Sequence, residues 1–155
     1  CRERNAEAVA ADVADMRQAI AREKGEEQRW DLKYAAGGLI DVEFIAQYLQ
    51  LVHAAEHPEI LDPNTARVLD NALRLGLLPP QHADILRPAV RLYHNVTQVL
   101  RLCLPGPFDP KTAGKGLLDL LCRAADLPNF ATLDAHLAET QQKVRASFNQ
   151  ILNVG

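Results

Sequence analysis

A chain of 155 residues is long enough to bury a core without disulfide or metal staples, and short enough to form one folding unit. Hydrophobic residues make up 48% and charged residues 24%, which places the chain far from the composition of disordered segments. With 17 basic against 20 acidic side chains the formal net charge is −3, so neither nucleic acid nor an anionic membrane is an expected partner.

The polar start, Cys1-Arg2-Glu3-Arg4-Asn5, has no apolar stretch of the kind a secretory signal needs, and it lacks an initiator Met, so a piece of a longer protein is expected. Residues 6–23 place Val9, Val13, Met16 and Ile20 at spacings of four, three and four, which predicts an amphipathic first helix. Residues 24–38 have no sustained period but contain Gly25, Trp30 and Tyr34, and are expected to form an ordered connector. A second helix is predicted from Leu39 to Ala55. Its uncharged run, Phe44 to Ala55, falls well short of the ~20 apolar residues a membrane span requires.

Pro58 and Pro63 bracket a turn, and Thr65, Val68, Leu69, Ala72, Leu73 and Leu75 then predict a short third helix that ends at Gly76. The longest helical pattern opens at Pro79-Pro80, runs through Ile85, Leu86, Ala89, Leu92, Tyr93, Val96, Val99, Leu100 and Cys103, and contains Pro88, where a kink is expected. Leu104 to Lys115 is rich in proline and glycine and reads as a loop. A short apolar helix follows over Leu117 to Ala125. The last helix, capped by Asn129 or Thr132, carries Leu133, Leu137, Val144, Phe148 and Ile151 as its buried stripe. No segment alternates like a strand and no internal repeat is present, so the expected fold is an all-α bundle of five to six helices, with residues 39–153 as its body.

The segment with the most information is Lys33 to Leu51. Gly37 and Gly38 supply backbone freedom at the opening of an apolar helix that carries Asp41 and Glu43 in its first turns. On a helical wheel Glu43, Gln47 and Gln50 share one side, whereas Asp41 projects toward the apolar arc with Ile45 and Tyr48. The two carboxylates therefore cannot serve as a close acid–base dyad. Asp41 is placed either to order the Gly37-Gly38 opening or to pair with Lys33.

The run Gly37-Gly38-Leu39-Ile40-Asp41-Val42-Glu43-Phe44-Ile45, continued by Gln47-Tyr48-Leu49 and Leu51 and preceded by Asp31-Leu32-Lys33, resembles the helical domain of the glutamine synthetase adenylyltransferases. These bifunctional enzymes add AMP to glutamine synthetase and remove it again. In the deadenylylating half the motif typically reads Arg-Glu-Ile-Glu-Phe, where this chain has Asp41-Val42-Glu43-Phe44, and the Glu-His-Arg-Leu-Gln and Thr-His-x-Leu-Pro signatures of that half are missing. The ending Lys143-Val144-Arg145-Ala146-Ser147-Phe148 is similar to the extreme C-terminus of the adenylylating half.

The resemblance implies a noncatalytic regulatory or docking domain of a cytoplasmic parent enzyme. Its partners would be the parent's own upstream nucleotidyltransferase domain, glutamine synthetase and the PII signal protein. In the family a Gly-Ser-x-x-Asp-x-Asp motif holds ATP and magnesium. This chain has no such motif, so the fragment by itself is expected to carry no cofactor and no transfer activity. Lys33, Gly37, Gly38, Asp41, Glu43 and Gln47 are the candidates for interdomain or regulatory contact.

A second candidate is the stripe Arg87, Arg91, His94, Gln98 and Arg101 on the fourth helix, which suits an acidic partner and carries the alternative reading of an independent interaction module. Three cysteines, Cys1, Cys103 and Cys122, have no Cys-x-x-Cys spacing, which argues against a disulfide framework and a zinc site and points to a reducing cytoplasm. The scattered histidines show no metal-binding spacing. Gly114-Lys115-Gly116 fails as a phosphate loop because Gly106 lies too far upstream, no strand precedes it, and Gly116 stands where a Ser or Thr is required. Ser147 has no histidine within a helical turn, and Cys103 and Cys122 are expected on apolar faces, so no covalent nucleophile is expected.

Overall fold

Asn64 and Asn129 each start a helix by capping it: their side-chain oxygens accept the backbone N–H of Arg67 at 3.1 Å and of Thr132 at 2.8 Å. At the other end of the third helix Gly76 adopts φ +75, and the N–H groups of Gly76 and Leu77 bond back to Leu73 and Ala72, the paired closure that a left-handed glycine permits. These local signals sit inside a computed structural model that describes the backbone of residues 2–154 and the side chains of residues 5–154; Cys1 lies outside the described residues. The helices are α1 (Arg2–Lys24), α2 (Leu39–His53), α3 (Thr65–Arg74), α4 (Pro80–Cys103), α5 (Lys115–Ala125) and α6 (Phe130–Ile151), with a 3-10 turn at Pro58–Ile60. The described residues contain no strand, and the fold is the expected all-α bundle.

The centre of the bundle is α4, which packs against α2, α3, α5 and α6, whereas α1 rests on α2 alone among the helices. Leu86, Ala89, Val90, Tyr93 and Val96 form its buried side, facing Val42 and Ile45 of α2, Val68 and Leu69 of α3, Leu121 of α5, and Leu133, Leu137 and Val144 of α6. Pro88 lies inside α4 on its exposed side, away from the core, and the helix runs through it from Pro80 to Cys103. The connector between α1 and α2 is pinned to α6. Trp30 stacks on Phe130 with ring centroids 5.3 Å apart, meets Phe108 edge-on at 5.0 Å, and donates its indole N–H to Asp134 at 2.9 Å.

Three expectations are corrected. The buried side of α1 is Ala10, Val13, Ala14 and Arg17, whereas Met16 is 47% exposed; the helix has turned its small residues inward so that its backbone approaches α2, and it buries an arginine because α2 offers a carboxylate there. Lys115 is the first residue of α5 rather than the last of the loop, since Gly114 already has the extended backbone of a helix start. Cys103 is exposed, because the last turn of α4 runs past the core, while Cys122 is buried as expected.

Candidate functional site

The start of α2 has no side-chain cap. Its first donors are taken by the connector's own carbonyls: Gly38 N–H bonds Ala35 at 2.8 Å, Leu39 bonds Leu32 at 2.7 Å and Ile40 bonds Lys33 at 3.0 Å. The chain must fold back on itself closely for this, and both glycines are required. A Cβ on Gly38 would stand 2.3 Å from the Leu32 carbonyl oxygen, and one on Gly37, at φ +74, would stand 1.8 Å from that of Gln141 on α6. The backbone freedom expected of Gly37 and Gly38 is thus used to form a buried, tightly bonded junction of the connector with α2, α4 and α6.

Asp41 lies at the heart of this junction and is completely buried. It accepts hydrogen bonds from Nε of Arg17, from Nε of Arg145 at 2.8 Å and from the Gly37 N–H at 2.7 Å. Arg17 continues to the carbonyl of Tyr34 at 2.9 Å, and Arg145 to Glu26 at 2.8 Å. Above them the Tyr93 hydroxyl donates to the Gly37 carbonyl at 2.6 Å. Burial pushes the Tyr93 phenol well above its ordinary pKa, and the Asp41 charge adds to the push. Burial works against the Arg145 charge, but its hydrogen bonds to Asp41 and Glu26 outweigh burial and hold the guanidinium above its ordinary value.

Of the three roles open to Asp41, ordering the glycine opening is the one observed, and its complete burial leaves it no surface for direct interdomain contact. Lys33 is not its partner: the lysine is exposed, with Nζ 5.3 Å from the centre of the Tyr34 ring. The side-chain partners of Asp41 are Arg17 and Arg145, and Glu26 shares both arginines; hydrophobic periodicity pointed to none of these contacts, nor to that of Tyr93. A signal existed in that Arg17 stands among the apolar positions of α1 and Arg145 next to the stripe of α6, and a cation at a core-facing position requires an anion. Glu43 is half-buried and Gln47 exposed on the other side of α2, and neither makes a hydrogen bond or ion pair among the described residues.

The basic stripe does not form one site. Arg87, Arg91, His94, Gln98 and Arg101 are all exposed, but Arg87 to Arg101 spans ~21 Å along the helix. Arg87 pairs with Asp70 at 2.6 Å. With Arg91 it also borders a groove of about 500 Å3 that holds Asp84, Asp126 and His136, so acids neutralise that end. Arg101 instead joins Lys33 in a separate cleft of about 600 Å3, walled by Trp30, Leu100, Pro105 and Phe108. His94 and Gln98 border neither.

Ser147 does have a histidine, contributed by another helix: its Oγ lies 2.9 Å from Nδ1 of His82. Both residues are over 90% buried, so no substrate can reach the pair, and it serves as a polar link between α4 and α6. Among the described residues no three His, Cys, Asp or Glu side chains gather in a way that could hold a metal ion. Both oxygens of Asp41 are taken by arginine, and Glu26 shares the same two arginines through one oxygen, so this cation-rich junction does not fit magnesium. Among the described residues no helix is long and apolar enough to cross a membrane.

The family model described as GlnD PII-uridylyltransferase matches residues 10–152, and the chain belongs to that family. It is 58% identical over 151 residues to a bifunctional glutamine synthetase adenylyltransferase/adenylyl-removing enzyme of Rhodopseudomonas palustris, a match that covers 97% of this chain and 15% of the relative. The corresponding enzyme of Bradyrhizobium diazoefficiens is also 58% identical over 97% of the chain, and that of Xanthobacter autotrophicus is 58% identical over 93%. The resemblance read from Gly37 to Leu51 thus extends along nearly the whole chain. The chain spans only 15% of the length of these relatives.

Proposed function

Given that membership, we propose that the chain is the noncatalytic helical domain that ends the adenylylating half of a glutamine synthetase adenylyltransferase. The single observation that carries this reading is 58% identity along 97% of a chain that is only 15% as long as its relatives. In this reading the parent transfers AMP from ATP, with magnesium, to a tyrosine of glutamine synthetase in the cytoplasm, with PII as a regulatory partner. ATP and magnesium belong to the upstream nucleotidyltransferase domain.

The role assigned to this piece is docking. Asp41, clamped by Arg17 and Arg145, fixes the direction in which α2 leaves the connector and acts as a positioning residue from inside. Glu43, Gln47 and Lys33 are the side chains left outside to meet the catalytic domain. Transfer of labelled AMP from ATP to glutamine synthetase tests the assignment. The intact parent is expected to label its target and the purified chain to label nothing; labelling by the chain alone would overturn the reading.

A further inference from the structure

The cleft that unites Lys33 and Arg101 differs in charge from the rest of the molecule. The chain as a whole carries −3, yet of the charged residues that border this cleft two are cations and only one, Asp31, is an acid. Lys33 and Arg101 make no ion pair among the described residues, and both are exposed. The walls between them are apolar, supplied by Trp30 of the connector, Leu100 at the end of α4, and Pro105 and Phe108 of the following loop. Thr97, whose Oγ1 is buried without a hydrogen-bond partner, borders the same space. An apolar trough with cations on its rim that make no ion pair suits a segment that carries an apolar side chain and a carboxylate.

We propose that this cleft receives an acidic peptide segment of the parent enzyme itself, from outside these 155 residues, and so latches the helical domain to the remainder of the molecule. This rests on the reading that the chain is a piece of a larger enzyme. The size of the cleft suits a short tethered segment better than the surface of a separate protein. About 600 Å3 lodges only a few side chains, whereas a stable complex between separate proteins buries ~800 Å2 on each partner. A segment on the same polypeptide is present at millimolar effective concentration, so even a contact of ~0.1 mM strength is occupied about ten to one.

Hydrogen exchange in the intact parent tests the latch. In the Lys33→Glu/Arg101→Glu variant the amides of residues 97–108 are expected to exchange about ten times faster than in the wild type, while the control Arg91→Glu/His94→Glu leaves them unchanged. Exchange over residues 86–93, in the core of α4, reports whether the variant still folds; if it does not, Lys33→Gln/Arg101→Gln is read in its place. Unchanged exchange at 97–108, or an equal rise in the control, would overturn the proposal. Protection that appears only when glutamine synthetase or PII is added would overturn it as well, because the occupant would then come from another molecule. Any of these results leaves the AMP-transfer comparison unaffected, so the failure of the latch and the failure of the assignment are distinguishable.

Discussion

Nε of Arg145 lies 2.8 Å from Oδ2 of Asp41, although 104 residues separate them in the sequence. The contact closes the start of α2 against the end of α6, and Arg17 closes it from the opposite side against α1. Removing the shared anion leaves two guanidinium groups without their central partner. Asp41→Ala is therefore expected to cost about 3–5 kcal/mol of stability in urea unfolding, whereas Arg17→Met/Asp41→Leu/Arg145→Met together should be close to neutral. A cost below about 1 kcal/mol for the single change would contradict the clamp.

Two glycines with nearly the same backbone separate strain from crowding. Gly37 has φ +74 and Gly76 has φ +75, but an added Cβ meets the Gln141 backbone at Gly37 and nothing within 4 Å at Gly76. Gly76→Ala is expected to cost about 1–2 kcal/mol, the penalty of the left-handed conformation alone. Gly37→Ala should cost well beyond that and disrupt the junction. Equal losses on thermal unfolding would refute the close approach of α6.

Burial holds the His82 imidazole below its ordinary pKa, so the folded state favours the neutral ring. The unfolded chain then binds the proton more readily. Stability contributed by this group is complete above the unfolded pKa of about 6.5 and is lost as pH falls through that value toward the folded one. Between about pH 7 and 5 the wild type is expected to lose stability more steeply than His82→Gln, by at most ~1.4 kcal/mol per pH unit. Parallel pH profiles would show that the ring is not buried as described.

Burial pushes the Cys122 thiol up, with Asp119 adding to it, and the side chain is only 7% exposed, whereas Cys103 is open to solvent. In a Cys1→Ser background, a thiol reagent should modify Cys103 at least about ten times faster than Cys122 under native conditions, and both alike in denaturant. Comparable native rates would place Cys122 outside the core.

Much of the fold was legible because helix periodicity, prolines and caps are local. Gly76 ended α3, Asn129 capped α6, and Leu133, Leu137, Val144 and Phe148 were buried as the stripe predicted. The start of α2 stood out for the same reason, since a glycine pair before an apolar helix needs no distant partner to be read. Its chemistry was not legible, because Arg17 and Arg145 reach Asp41 across 24 and 104 residues. The pairing of His82 with Ser147, 65 residues away, was invisible for the same reason. On α1 the apolar count chose Met16 over Arg17, since periodicity weighs hydrophobicity and cannot see that a buried carboxylate makes an arginine the better inward residue. The basic stripe misled in the opposite sense: a helical wheel collapses the axis, and residues alike in angle stood two grooves apart.

In the proposed docking role, α2 orients a catalytic domain from outside while Asp41 holds α2 in place from within. This role is tested by the rate of AMP transfer to glutamine synthetase by the intact parent carrying Glu43→Lys, a change at a half-buried side chain with no hydrogen-bond or ion-pair partner among the described residues. The rate is expected to fall about tenfold or more, with an unchanged unfolding midpoint. Wild-type transfer by that variant would contradict it.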